Sequence, residues 1–297
     1  MPTTTVNDLS IYFDTFGDPA DETVLMVSGL GAQCIGYDDQ LCELIASGGR
    51  HVVRYDNRDV GLSSHLDGVP ADLLVAFASI AMGEPIDAAY TLSDMAADGI
   101  GLLDSLELEA VHVLGASMGG MITQTMAIEH PGRVRTLTSV YSTTGEPEFG
   151  TPDPEALTSI LATMTPEDTR QGRVDAAVDL ARIIGSPDVF DEPAARVLAA
   201  RLIDRSYDPE GTSRQMVAIL ASGSRAEDLA ALSLPTMVLH GDRDPLVNIS
   251  GGRRTAELVP DAELRIFAGM GHDMPPSYWE RIAGGLADIT ATSTKDA

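Results

Sequence analysis

Apolar positions along the chain change rhythm several times, and each rhythm marks an element. Leu9 to Phe16 alternates roughly between apolar and polar, the period of a strand with one wet face, so an exposed antiparallel edge strand is expected there. Thr23 to Ser28 and His51 to Tyr55 are continuous apolar runs, the signature of strands covered on both faces. Val111 to Leu114, Val134 to Tyr141, Pro235 to Gly241 and Glu263 to Phe267 also have strand character. Helical spacing lies between them, at about Asp38 to Ser47, Thr91 to Leu106, Met118 to Glu129, Gly251 to Leu258 and Tyr278 to Ile289. Strands alternating with helices predict a mostly parallel sheet wrapped on both faces.

Two stretches break the alternation. From Ser142 to about Asp228 strands vanish, and helices are expected at Pro154 to Met164, Arg173 to Ile184, Glu192 to Arg205 and Ser213 to Ser222. Residues 142–228 thus form a helical insertion, and 1–141 with 229–297 form the core. The second stretch, Leu66 to Ala89, holds an apolar helix around Asp72 to Met82. At eleven residues it is too short to span a bilayer, and it either covers the mouth of a pocket or packs in the core. The tail after Thr290 is expected to be loose.

Composition narrows the partners. The chain of 297 residues carries 45 acidic and 19 basic side chains, a formal charge of −26, and its only lysine is Lys295. Such a field repels phosphate backbones and anionic lipid, so neither nucleic acid nor a membrane surface is an expected partner. No secretory leader is visible at the N-terminus, and Cys34 and Cys42 read as free structural thiols, which points to the cytoplasm. A homodimer is one option for an oligomeric state that the sequence leaves open.

The chemistry centres on Gly115-Ala116-Ser117-Met118-Gly119, placed between a strand and a helix. A serine at the apex of so sharp a turn is strained, and glycine is needed two positions either side so that strand and helix can crowd together. The following helix start directs N–H groups at the reacting centre, and Met118 N–H is one candidate oxyanion donor. Earlier, Ser28-Gly29-Leu30-Gly31-Ala32 lacks the G-x-G-x-x-G and lysine of phosphate loops. It suits a backbone approach to a ligand, with Leu30 N–H the second candidate donor.

A serine needs a base, and the base needs an orienting acid. Of six histidines, His51, His112 and His240 fall in or at strands, His130 ends a helix and His65 lies in an unplaced loop. Only His272 lies in a glycine-flanked loop directly after the last strand. The acid falls in Gly241-Asp242-Arg243-Asp244-Pro245, after the preceding strand. Asp244, held extended by Pro245, is preferred to Asp242, which is read as a turn cap or a partner of Arg243. Ser117, Asp244, His272 is also the chain order of such a triad on this kind of sheet.

With these motifs in place the chain resembles the α/β-hydrolases over essentially its whole length. The resemblance implies a doubly wound sheet of about eight strands, with residues 142–228 as a helical cap inserted after the sixth. It also implies catalytic roles for Ser117, Asp244 and His272, and oxyanion donors at Leu30 and Met118. Ser28 stands where the family usually has His before Gly-x, and Asp59 replaces a glycine of the family's D-x-R-G-x-G-x-S turn at Asp56 to Ser63. More narrowly, Phe16 to Asp21, Arg54 to Asp59, Ser117 to Gln124 and Gly269 to His272 are similar to actinobacterial carboxylesterases of the aclacinomycin methylesterase type.

The expected activity is cofactor-free and metal-free hydrolysis of a small-molecule carboxylic ester through an acyl-enzyme. Perhydrolysis or C–C bond hydrolysis by the same triad is the alternative, and a ligand-binding relative without turnover is an alternative of another class. Met82, Met118, Met270 and Met274 are candidates for an adaptable pocket wall or for plain core.

Overall fold

The computed structural model describes residues 2–292. In chain order the elements are β1 (Thr3–Val6), β2 (Leu9–Phe16), β3 (Thr23–Val27), α1 (Asp39–Ser47), β4 (His51–Tyr55), α2 (Leu73–Met82), α3 (Leu92–Ser105), β5 (Val111–Ala116), α4 (Met118–Glu129) and β6 (Val134–Val140). Five helices follow, α5 (Pro154–Ala162), α6 (Arg170–Ile184), α7 (Glu192–Arg205), α8 (Pro209–Ser222) and the short α9 (Ala226–Leu229). The chain then returns to the sheet with β7 (Thr236–Gly241), α10 (Ser250–Leu258), β8 (Glu263–Phe267) and α11 (Trp279–Thr292).

The eight strands form one sheet in the order β1-β2-β4-β3-β5-β6-β7-β8. The pairs β1/β2 and β2/β4 are antiparallel, and every pair from β4 to β8 is parallel. This is the mostly parallel sheet that the patterning predicts, with the eight strands that the family resemblance implies. All residues of β3, β4 and β5 are buried, as continuous apolar runs require. Period-two alternation divides them between faces. Leu25 and Val27 join Met95, Leu103 and Met126 of α3 and α4, while Val24 and Met26 join Leu41, Ile45 and Leu286 of α1 and α11.

Three local expectations change. Leu9 to Phe16 is not the edge strand, because β1 pairs outside it, Thr3 opposite Tyr12 and Val6 opposite Leu9. Thr3-Thr4-Thr5-Val6 carries too few apolar positions to show a period. The last helix runs on to Thr292 rather than loosening after Thr290, and 293–297 of the expected loose tail lie outside the described residues. The apolar helix α2 is not core. Ala76 and Ser79 are buried, whereas Leu74, Val75, Ile80 and Met82 stand exposed.

Cys34 and Cys42 are free and buried, as read from the sequence. Among the described residues no helix is long and apolar enough to cross a membrane.

Candidate active site

Ser117 sits at the junction of β5 and α4 with φ 56° and ψ −120°, a left-handed conformation that costs a non-glycine residue on the order of 1–3 kcal/mol. Its surroundings over-determine it. A Cβ on Gly119 would lie 1.9 Å from the Val27 carbonyl oxygen, and one on Gly115 would lie 2.1 Å from the Gly119 oxygen. No side chain fits at either position, so the strand and helix close on each other and push Ser117 outward. The turn is tied down by Ser117 N–H donating to Val140 O at 2.9 Å and Ser142 Oγ donating to Ser117 O at 2.8 Å.

Facing the serine is the turn after β3. Gly29 packs against it, its notional Cβ 3.2 Å from Ser117 Cβ. Within this turn Gly31 N–H donates to Gln215 Oε1 at 2.8 Å and Ala32 N–H to Gly29 O at 3.2 Å. Leu30 N–H has no protein acceptor among the described residues, and Met118 N–H belongs to the first turn of α4, where no intrahelical acceptor exists. Asn57 Nδ2 donates to Ser28 O at 3.0 Å, a brace that needs nothing from the residue at 28 beyond its carbonyl.

His272 follows β8. Its Nδ1–H donates to Asp244 Oδ2 at 2.7 Å, which leaves Nε2 of the neutral ring as the basic nitrogen. Asp244 Oδ1 accepts the N–H groups of Leu246 and Val247, each at 2.9 Å. Burial pushes the Asp244 carboxyl up, but the neighbouring His272 charge and hydrogen bonds from His240 and His272 outweigh it and bring the carboxyl down to about 2. The acid therefore stays ionised through the neutral range. Asp242 is exposed and accepts Gly269 N–H at 2.7 Å, capping the turn rather than meeting the imidazole. Tyr141 lies against the His272 ring, with centroids 4.5 Å apart.

Ser117, Met118, Leu30 and His272 all line one cavity of about 980 Å³, and Asp244 lies behind His272, outside the lining. The far wall is apolar and comes largely from 142–228, with Ile160, Leu180, Leu202 and Met216 in the lining. Phe77 of α2 completes it, so the segment 66–89 does reach the pocket. Of the four methionines singled out, Met118 lines the cavity, Met270 is fully buried core, Met274 packs half-buried against the core and Met82 is exposed.

Several residues shaping the site have partners that the sequence does not indicate, among them Asp59, which the sequence marks only as a departure from the family turn. Asp59, at φ 66°, accepts Arg214 Nε and Nη2 at 2.8 Å each, Tyr90 hydroxyl at 2.7 Å and Leu66 N–H at 2.7 Å. Burial works against its ionisation, yet these donors hold its carboxyl below the ordinary range. His65, unplaced by sequence, pairs with Asp208 at 2.6 Å. Asp59, His65 and Asp208 cluster closely enough to suggest a metal, but Arg214 already bridges the two carboxylates, so the donor set does not suit a cation.

Residues 22–276 match the family described as alpha/beta hydrolase fold, and the chain belongs to that family. It is 28% identical over 316 residues to the rhodomycin D methylesterase DnrP of Streptomyces peucetius, covering 99% of this chain and 100% of that protein. It is also 26% identical over 272 residues to the putative carbamate hydrolase RutD of Variovorax paradoxus, covering 89% and 90% of the two chains. The solved meta-cleavage product hydrolase of Pseudomonas fluorescens IP01 superposes with a TM-score of 0.77 at 19% identity, over 99% of this chain and 98% of that one. The expected likeness to actinobacterial methylesterases is borne out, and the relatives named here are hydrolases.

Proposed function

We propose that this chain is a serine hydrolase that cleaves carboxylic esters of small or medium apolar substrates through an acyl-enzyme. The observation that carries the reading is the shared cavity of a strained Ser117 and a His272 whose Nδ1 is fixed by ionised Asp244. His272 Nε2 takes the Ser117 proton as Oγ attacks the ester carbonyl, and the oxyanion accepts hydrogen bonds from Leu30 and Met118 N–H. The imidazolium, stabilised by Asp244, protonates the leaving alcohol. The same nitrogen then activates water against the acyl-enzyme. No cofactor enters these steps.

The apolar wall and a volume near the top of the usual range for small-molecule pockets favour an apolar acyl group at the medium end of that size range. Methyl esters are fitting substrates, with methanol as the leaving alcohol, on the strength of the full-length likeness to a methylesterase; that likeness favours ester cleavage over C–C hydrolysis or perhydrolysis by the same residues. Residues 142–228 act as a cap over a core of 1–141 and 229–297, with 66–89 at its mouth. A cytoplasmic setting is proposed from the two free buried thiols.

A fluorophosphonate probe is expected to label the wild type and not Ser117→Ala, and a chain-length series of aryl esters then sizes the acyl pocket. Labelling that persists in the alanine variant removes the serine assignment.

A further inference from the structure

The turn that offers Leu30 N–H is held from outside the core, by α8. Gln215 of that helix is fully buried and uses both ends of its amide. Its Oε1 accepts Gly31 N–H at 2.8 Å and its Nε2 donates to Arg58 O at 2.7 Å. One turn earlier, Thr212 presses on the same glycine, its Oγ1 only 2.9 Å from where a Gly31 Cβ would be. Gln215 itself is not among the residues lining the cavity, so a substrate bound there does not meet it.

The departure from the family turn explains why α8 can bear on this loop so firmly. Asp59, in place of glycine, takes a bidentate ion pair from Arg214, the residue before Gln215, and both side chains are almost wholly buried. The start of α8 also packs directly on Asp59, since a Cβ on Gly211 would lie 2.3 Å from the Asp59 carbonyl oxygen. Arg214 fixes the helix against the 56–63 turn, and Gln215 carries that position across to Gly31. The oxyanion turn is thereby registered against a helix some 184 residues away in the chain.

We propose that Gln215 is a positioning residue for the reaction: through Gly31 it sets the direction of Leu30 N–H, and α8 serves catalysis as well as covering the substrate. This rests on the serine-ester reading given above. A donor moved by about 1 Å costs on the order of 100-fold in rate, because it stabilises charge that develops only in the transition state. Gln215 itself does not line the pocket, so its replacement removes no direct contact with a bound substrate.

The test compares wild type, Gln215→Met and Ser117→Ala on an aryl ester, with inhibition by a trifluoromethyl ketone that forms a tetrahedral adduct on the serine. Gln215→Met is expected to lower kcat about 10- to 100-fold and weaken the ketone by the same factor, with KM within about two-fold. A merely structural role would lower thermal stability without this split. Gln215→Asn, too short to span both partners, carries the same expectation and decides the matter if the methionine variant does not fold. Wild-type kcat and ketone affinity in a folded Gln215 variant overturn the positioning role, provided wild type is labelled by fluorophosphonate and Ser117→Ala is not. Absence of labelling in wild type removes the serine reading and this proposal with it.

Discussion

Replacing Asp244 by asparagine tests the acid through its hydrogen bonds rather than its charge alone. Oδ1 holds two backbone N–H groups and Oδ2 holds His272 Nδ1–H. An asparagine can place its oxygen on only one side. If the amide NH2 faced Leu246 and Val247, two backbone donors would lose their acceptor, at about 1–3 kcal/mol for the buried Val247 N–H and less for the half-buried Leu246. The opposite orientation sacrifices one bond, so the NH2 turns toward His272 and forces Nδ1 to accept. The proton then sits on Nε2, where the serine needs a base. A triad histidine trapped in that tautomer loses about 10⁴ in kcat, some 5 kcal/mol of transition-state stabilisation. Steady-state hydrolysis of an aryl ester, with circular dichroism melting as a folding control, measures the effect. Asp242→Asn, on an exposed turn cap, is expected to stay within a few-fold of wild type. Wild-type turnover in Asp244→Asn together with a dead Asp242→Asn would refute the assignment.

Other substitutions probe what shapes the site. Gly119→Ala drives a methyl to 1.9 Å from the Val27 oxygen, so the backbone must move; a loss of about 1–3 kcal/mol in denaturant unfolding is expected, with slower fluorophosphonate labelling. Asp59→Gly restores the family's residue and relieves a positive φ, yet it strips a buried arginine of its bidentate partner; a net loss of about 3 kcal/mol is expected, and a stabilised variant would contradict the anchoring role of Arg214. His112 is buried, and that burial, with Arg50 and Arg135 nearby and only partly offset by Glu22, lowers it to about 4. Its ordinary value of about 6.5 applies in the unfolded chain, so the unfolded state binds the proton more tightly. Stability is complete above pH 6.5 and falls by roughly 3 kcal/mol at most as the pH drops toward 4. Chemical denaturation across that window should show the slope in wild type and a shallower one in His112→Gln, and identical slopes would remove His112 as its source.

How legible the molecule was depends on how local the determinants are. The buried strands β3, β4 and β5 were readable because both faces are covered, which forces unbroken apolar runs. β1 was not, since four residues of mostly threonine hold no period, and missing it made β2 look like an edge. Helix α2 was found by its apolarity, but that property says nothing about which face finds a partner. Only packing shows Ala76 turned inward and Leu74 left in solvent. Asp242 and Asp244 differ in sequence by little more than the following proline, and in space by everything that touches them.

By itself the sequence determined the alternation that makes the sheet, the glycines that let β5 and α4 close around Ser117, and the order of the candidate acid and base in loops after later strands. Those are matters of backbone sterics and side-chain period, which operate within a few residues. Tertiary structure settled the geometry that Pro245 had only favoured, with Asp244 rather than Asp242 meeting His272, and it alone decided that Asp59 becomes the socket for Arg214 and that Gln215 reaches back to Gly31. Each of those is a contact between distant parts of the chain, and a lone glutamine within a helix carries no periodic trace of the partner it will find.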